Sequence, residues 1–314
     1  MNGDQNPYGL AIATATSGLI TAGDLIVCNF NNAANARGAG TTIEVLHPGH
    51  GSSPTRFVQD PNLKGCAALA LGGGDAPWAA AYSSNLAPFY SPASTLESTL
   101  SGGPWSGPWG EAFAPALGSG AASFITSNAT SGTIVRVNLG SPFTYETIVS
   151  GFTENAGAVA GNILGVSGLT YDATSDTLYA VDSNQNRLLA FAGYSTLTAG
   201  AITLAADGTF SGPSATSASV VFAGAPLNGP ISSAQIFNGD IVVGNTLDPN
   251  GTNLLLEISP VTKNVVATQN VDTGMAGAIF GIAATGTTAA SSLLYFNDDN
   301  DNTVKVLTVA SAAP

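Results

Sequence analysis

The sequence predicts an all-β protein, a six-bladed β-propeller with mostly four-stranded antiparallel blades around a central channel. Two observations support this prediction. Short apolar runs are bounded by clusters of Asp, Asn, Ser and Gly, and one strand–turn–strand unit recurs along the chain. The clearest copy covers residues 165–194, where 167–171, 177–181 and 187–192 are expected to form three strands joined by polar turns.

Six segments carry this unit, each an apolar strand that ends in a polar turn before another strand. They are 24–32, 78–85, 123–137, 178–191, 240–258 and 293–307. A β-sandwich would not repeat one unit six times, and a β-helix has shorter coils, whereas about 52 residues per unit is typical of propeller blades. We therefore expect one domain over 1–314, with blades near 7–60, 65–103, 107–153, 165–224, 229–272 and 277–312.

An inner strand with a small residue in its middle precedes most of these units. These strands are expected at 7–12, 66–71, 108–113, 166–171, 231–236 and 279–284. Small residues are expected there because six strands converge on the axis. The second blade is less regular, since Pro88 and Pro92 permit at best an edge strand. The last blade offers three strands, so either residues before Met1 complete it or it stays three-stranded.

Charge limits the partners that this chain is expected to have. Acidic residues outnumber basic ones by 20 to 7, and the formal net charge is −13. Seven scattered Lys and Arg cannot build a basic patch, so we expect no nucleic-acid partner. No apolar run reaches the roughly 18 residues of a membrane helix, so we expect no membrane insertion.

Two features bear on the compartment. Cys28 and Cys66 fit either one disulfide or two buried thiols, and their expected strands lie in neighbouring blades. Residues 1–4 look like an initiator placed on a trimmed mature start. We therefore expect an extracellular or periplasmic protein whose signal peptide has been removed.

Four segments carry a family resemblance that covers essentially the full length. They are GVSGLTYDATSDTLYAVDSNQNRLLAF at 165–191, the pair GDLIVCNFNN and LYFNDDNDNTVKVL, and the stretch 224–258. They resemble the NHL-type six-bladed propellers, and the last is similar to secreted bacterial propellers of unassigned function. More distantly, the chain resembles the gluconolactonase and strictosidine-synthase-like propellers. The resemblance implies the fold and leaves the function open, because propellers host binding modules, lyases, lactonases and scaffolds.

The lactonase-like propellers imply a divalent metal at the channel mouth. Its ligands are a Glu, an Asn and an Asp, each placed before the small residue of an inner strand. The matching positions here, none of them a carboxylate, are Tyr8, Ala67, Trp109, Ser167, Ser232 and Phe280. The resemblance therefore implies that this metal tripod, and the water activation it supplies, is missing from the chain.

Aromatic residues take three of these positions. Tyr8, Trp109 and Phe280 are expected around one mouth of the channel. There they either stack on a sugar or enclose an apolar ligand, or they simply plug the channel. Glu111 is the only acid in an inner strand and can also reach the channel. The candidate ligand-binding residues are Tyr8, Trp109, Glu111, Ser167, Ser232 and Phe280.

Asn and Asp side chains gather in the turns expected on the same face. They are Asn29, Asn31, Asn32, Asn85, Asn128, Asp182, Asn184, Asn245, Asp248, Asn297, Asp298 and Asp299. Tight turns favour such residues, which explains most of them, and an oxygen-rich surface for a hard cation or a sugar is the alternative. The candidate Ca²⁺ ligands are Asn297, Asp298, Asp299 and Asp301, although this segment lacks the Gly and the distal Glu of an EF-hand loop.

The sequence offers few residues that could support nucleophilic or histidine-based catalysis. The only histidines, His47 and His50, fall in a turn of the first blade that is expected on the face opposite the aromatic mouth. They could hold a metal ion, but an exposed turn is the simpler interpretation. The chain has no G-x-S-x-G motif, and its Gly-rich segment at 72–74 leads into a strand. No catalytic residue is assigned.

The function that we expect is that of a secreted or periplasmic binding or interaction module. A small molecule, a glycan or a protein would be held on the face that carries the inner-strand entries and the Asn/Asp-rich turns. One alternative is a divalent-metal-dependent hydrolase or lyase, lactonase-like or esterase-like, at the channel mouth. The other is a structural subunit of an extracellular assembly, with an open last blade as the edge for strand addition.

Overall fold

A computed structural model describes residues 3–48, 53–117, 121–155, 157–158, 161–247 and 252–308, and it shows a six-bladed β-propeller. The first blade contains β1 (Gln5–Ile12), β2 (Leu25–Asn31), β3 (Thr42–Leu46) and β4 (Thr55–Gln59). The second contains β5 (Cys66–Leu71), β6 (Pro77–Ala81), β7 (Phe89–Tyr90) and β8 (Leu96–Ser98). The third contains β9 (Pro108–Ala114), β10 (Ser123–Asn128), β11 (Thr133–Asn138) and β12 (Thr144–Ser150).

The remaining strands complete the ring. The fourth blade contains β13 (Val166–Asp172), β14 (Thr177–Asp182) and β15 (Arg187–Ala192); after β16 (Ile202–Leu204) and β17 (Phe210–Ser211) it is completed by β18 (Ala218–Ala223). The fifth contains β19 (Pro230–Gln235), β20 (Ile241–Asn245), β21 (Asn253–Ser259) and β22 (Asn264–Asp272). The sixth contains β23 (Ile279–Thr285), β24 (Leu293–Asp298) and β25 (Thr303–Thr308). The predicted fold class is therefore confirmed.

The segment between β15 and β18 does not stay in its own blade. Strand β16 pairs in parallel with β12, and β17 pairs with β16, so the third sheet has six strands. Ile202 and Leu204 are buried in the core between the third and fourth blades. Their burial explains the crossing, which also covers the outer edge of β12.

The short outer strands of the second blade follow the prediction from its prolines. Pro88 and Pro92 flank β7, which has two residues, and β8 has three. Proline cannot donate to a ladder, so the two prolines limit the length of β7.

Hydrophobic residues form one core between each pair of neighbouring blades. The core between the first and second blades, for example, joins Ile26 and Phe57 to Leu63 and Tyr90. Corresponding clusters join each further pair around the ring, including the sixth and the first. Each sheet is therefore stabilised by burial against two neighbours, as expected of radially repeated sheets.

The ring closes by side-chain packing between the last and the first blade. Tyr295 of β24 packs against Leu10, Leu25 and Val27 of the first blade. The Asn297 side chain donates a hydrogen bond of 3.2 Å to the Gly9 carbonyl oxygen. Within the described residues the last sheet has three strands and receives none from the other end of the chain.

Cys28 of β2 and Cys66 of β5 form a disulfide, which resolves the choice between a bridge and two thiols. The bond ties the first blade to the second near the axis. No helix among the described residues has the length and apolar character required to cross a bilayer.

Candidate functional site at the channel mouth

The pairing of each of the six inner strands with its neighbour is irregular at the same height along the channel axis. Each has a register shift near its start, where two of its residues lie opposite one of the neighbouring strand. Such β-bulges redirect side chains. The residues at this level, here called the mouth ring, are Tyr8, Ala67, Trp109, Ser167, Ile231 and Phe280.

Ile231 stands in the mouth ring where the pattern of the inner strands in the sequence predicted Ser232. The bulge in β19 falls between Pro230 and Ser232, so Ile231 is the extra residue. It packs with Tyr8 and Phe280 in the axial cluster. Ser232 lies one step further along the channel, beside Gly168 of the neighbouring strand.

The aromatic residues of the mouth ring pack on one another and close this end of the channel. Tyr8 stacks on Phe280 with ring centroids 3.5 Å apart and on Phe30 at 4.3 Å. Trp109 lies tilted 6.2 Å from Tyr8. Tyr8, Trp109 and Phe280 are 5%, 2% and 6% exposed. These rings, with Phe30, are called the aromatic plug below.

Five of the six predicted ligand-binding residues line one cavity of the channel, and Ser167 does not. Ser167 is 1% exposed, and its hydroxyl lies 2.6 Å from the Ser183 hydroxyl. Glu111 and Ser232 line a cavity of about 70 Å³ inside the channel, beneath the aromatic plug. Tyr8, Trp109 and Phe280 of the aromatic plug line the same cavity from above, so it brings together every predicted residue except Ser167.

A polar recess of about 520 Å³ lies above the aromatic plug, between the first and last blades. Tyr8 and Phe280 line it together with polar side chains from strand β1 and three loops. The polar residues that define it are Asn6, Asn35, Arg37, Asn162, Asp299 and Asn302. Sequence analysis did not name Arg37 or Asn35, because nothing local in the sequence indicates that their loop folds over the ring.

Asp299 is the titratable group at the centre of the polar recess. Its Oδ2 accepts a hydrogen bond of 3.0 Å from the Asn6 side chain, while its Oδ1 is buried with no partner among the described residues. Burial, and then the neighbouring Asp298, raise the pKa of Asp299 to about 7, and Arg37 opposes this shift. Burial, followed by the charge of Asp299, also raises the pKa of Tyr8.

Three of the Asn residues in these turns hold loops that precede inner strands. The side-chain oxygens of Asn85, Asn128 and Asn245 accept hydrogen bonds from Gly107 N, Ser106 N and Asn228 N respectively. Each bond fixes the loop that precedes an inner strand. These bonds reach loops 17 to 22 residues away, so they do not test the interpretation that such residues form their own turns, and Asp248 lies outside the described residues.

The four candidate Ca²⁺ ligands do not converge. Asn297 donates to the Gly9 carbonyl, and Asp299 faces the polar recess. Asp298 and Asp301 instead lie with Asp272, a residue that sequence analysis did not name, and their carboxylate oxygens are within 4.8 Å of one another. We call these three residues the carboxylate cluster.

The ammonium of Lys305 lies inside the carboxylate cluster. Its Nζ is 2.5 Å from Asp298 Oδ2 and 2.6 Å from Asp301 Oδ2. These hydrogen bonds raise the pKa of Lys305. The pKa of Asp298 is also raised, mainly because the carboxyl is buried and also because Asp272 lies beside it, although Lys305 opposes this shift. The oxygen donors suit Ca²⁺ in type, but a cation of the chain already contacts two of the three carboxylates. A metal ion would have to displace Lys305.

His47 lies on the face opposite the aromatic plug. It follows Leu46, which pairs with Leu25 at the far end of the first blade. Its Nδ1 is 2.6 Å from Asp24 Oδ1. His50 lies outside the described residues, so the structure does not test a site formed by the two histidines.

Comparison with protein-family models found no match, and comparison with curated proteins found none. Solved structures do match nearly the whole chain. A virginiamycin B lyase from Staphylococcus aureus has a TM-score of 0.55 at 13% identity, and the match covers 99% of this chain and 87% of that one.

Two further structures illustrate how varied these neighbours are. The calcium-binding protein regucalcin from Agrobacterium tumefaciens has a TM-score of 0.60 at 16% identity, covering 94% of this chain and 82% of that one. A chain of a nidogen/laminin complex has a TM-score of 0.61 at 14% identity, covering 90% and 86%. At these identities the similarity shows the fold alone. The chain therefore shares its six-bladed propeller architecture with lactonase-like and NHL-like propellers at low sequence identity.

Proposed function

We propose that this protein is a binding propeller that holds a hydroxyl-rich small molecule, such as a sugar, in the polar recess. The observation that carries the proposal is the Asp299 carboxyl, whose Oδ1 has no partner among the described residues that surround the recess. A buried carboxylate oxygen is costly to leave unpaired. A ligand hydroxyl that donates a hydrogen bond would satisfy it.

The other walls of the recess suit the same class of ligand. Arg37 supplies hydrogen-bond donors, and Asn35 and Asn302 supply both donors and acceptors. Tyr8 and Phe280 form an apolar floor against which the C–H groups of a sugar can pack.

A metal-dependent hydrolase or lyase at the channel mouth is less well supported. The mouth ring contains no carboxylate, so its side chains do not fit a divalent cation. The carboxylate cluster, which has suitable oxygen donors, already holds the Lys305 ammonium. The enzymes among the structural neighbours support the fold and not this activity.

We also propose that the protein works in an extracellular or periplasmic compartment. The Cys28–Cys66 disulfide supports this proposal, because such bonds persist in oxidising compartments.

The test is a binding screen with neutral monosaccharides and disaccharides, followed by calorimetry on each sugar that binds. Asp299→Asn should weaken binding by about tenfold or more, since hydrogen bonds to charged groups contribute roughly 1.5–3 kcal/mol. Asp207→Asn is the matched control, because Asp207 lies exposed beyond β16. Its affinity should remain that of the unmodified protein.

The pH dependence provides a second readout. The groups that face Asp299 are Tyr8, Arg37, Asp298 and Asp301. Protonation removes the acceptor charge, so affinity should fall as the pH drops through about 7, where Asp299 titrates. If no sugar binds, or if Asp299→Asn binds as tightly as the unmodified protein, the proposal is wrong.

A further inference from the structure

The channel beneath the aromatic plug contains a second candidate site that opens on the opposite face. The cavity of about 70 Å³ under the plug shares Glu111, Leu69, Leu169 and Ser233 with a wider funnel of about 650 Å³. The funnel opens where the inner strands end, and Glu111 lies at the junction of the two spaces. We call the cavity and the funnel together the lower channel.

Glu111 is buried and only partly satisfied. It is 7% exposed, and Thr126 Oγ1 donates a hydrogen bond of 3.3 Å to its Oε1. Its Oε2 has no partner among the described residues, and neither has the Ser232 hydroxyl on the same cavity. A buried acceptor without a partner is costly, so this end of the lower channel favours a ligand that donates hydrogen bonds.

The walls of the funnel are mostly small or apolar. Ala11, Ala112, Phe113 and Ala234 line it between Glu111 and the outside. The titratable groups that face this space are Asp75 and Tyr171 at the funnel and Tyr8 in the plug above. None of these groups carries a positive charge, so no cation among the described lining residues competes with a ligand for Glu111.

We propose that the lower channel binds a primary ammonium group on a short aliphatic stem, with Glu111 as its anionic partner. The cavity is about the size of two water molecules, which suits an ammonium head but not a sugar. Three N–H donors match the free Glu111 oxygen and the Ser232 hydroxyl. A divalent metal is a poorer fit, because the cavity provides a single carboxylate.

Binding of a cation must release a proton from Glu111 near neutral pH. Burial, only partly opposed by the hydrogen bond from Thr126, raises the pKa of Glu111 to about 8, so the free protein holds the carboxylic acid. An alkylammonium ion stabilises the carboxylate, and the acid proton passes to the buffer. The ligand keeps its own protons, so charge and atoms balance.

The test is titration calorimetry with n-butylammonium chloride in two buffers that differ in ionisation enthalpy, at about pH 7 and about pH 9.5. We expect binding with release of nearly one proton at the lower pH and almost none at the higher. Glu111→Gln should weaken binding by about tenfold or more. Glu97→Gln, at an exposed glutamate on β8, should leave it unchanged.

Further probes separate charge recognition from other kinds of binding. n-Butanol and n-butyrate should bind at least tenfold more weakly than n-butylammonium. Equal binding of n-butanol, or proton release driven by CaCl₂ instead of the amine, would overturn the proposal. So would the absence of n-butylammonium binding. The proton-release measurement uses the unmodified protein, so it tests the proposed ammonium site even if Glu111→Gln does not fold.

Discussion

Tyr8 and Phe280 stack face to face, with ring centroids 3.5 Å apart and an angle of 7° between the ring planes. Tyr8 belongs to the first strand of the chain and Phe280 to the inner strand of the last blade. Since no strand in the described part of the chain is shared between these blades, this stack and the nearby Tyr295 cluster join the two ends of the ring.

Phe280→Ala should therefore weaken ring closure. Removing a buried phenylalanine costs about 3–5 kcal/mol, and Phe280 is 6% exposed. We expect a loss of this size in the free energy of unfolding, measured by urea denaturation. Phe280→Leu keeps most of the apolar volume and should lose less than half as much. Equal losses in the two variants would contradict this expectation and would show that the aromatic stack contributes more than the apolar volume of Phe280.

The repeat and its period were enough to predict the propeller and its small axial residues. Gly110 shows why: a Cβ there would lie 2.0 Å from the Ser167 carbonyl oxygen, so the neighbouring strand excludes any side chain. The face occupied by His47 was also predictable, because antiparallel pairing fixes which strand ends meet.

Features that depend on side-chain direction or on distant contacts were not predictable. The segment ISSAQI offers two small residues in succession, and only the bulge decides that Ile231 reaches the mouth ring. Asp272 joins the carboxylate cluster from the end of β22, and Arg37 reaches the polar recess from a loop of the first blade. The sequence has no periodic signal for contacts of this kind.

Glu111 should make stability depend on pH. Its pKa rises from an ordinary 4.5 to about 8 on folding, because burial disfavours the carboxylate. The folded state thus keeps a proton that the unfolded chain releases. The contribution to stability is fully present below about pH 4.5 and is lost as the pH rises through about 8.

Glu111→Gln cannot lose this proton, so its stability relative to the unmodified protein should rise with pH. The expected change is on the order of a few kcal/mol between about pH 5 and about pH 8.5. Urea denaturation of both proteins across this range measures the difference, in which the effects of all other groups cancel. The free energy of unfolding of Glu97→Gln should change with pH in the same way as that of the unmodified protein. A parallel curve for Glu111→Gln would contradict the raised pKa.

Lys305 should act as the built-in cation of the carboxylate cluster. Lys305→Met removes the ammonium and leaves the buried Asp298 beside Asp272 and Asp301. We expect a loss of roughly 1–3 kcal/mol at neutral pH, below the cost of breaking a fully buried pair because the ammonium is partly exposed. Lys305→Arg keeps the charge and should lose less.

Added Ca²⁺ tests whether Lys305 occupies the carboxylate cluster or leaves it open to a metal ion. In Lys305→Met, Ca²⁺ can take the position of the ammonium among the three carboxylates, so added Ca²⁺ should raise the thermal unfolding midpoint and a chelator should reverse the effect. The unmodified protein should respond much less, because Ca²⁺ must first displace Lys305. If Ca²⁺ stabilises both proteins equally, Lys305 does not compete with the metal, and the cluster is a calcium site in its own right.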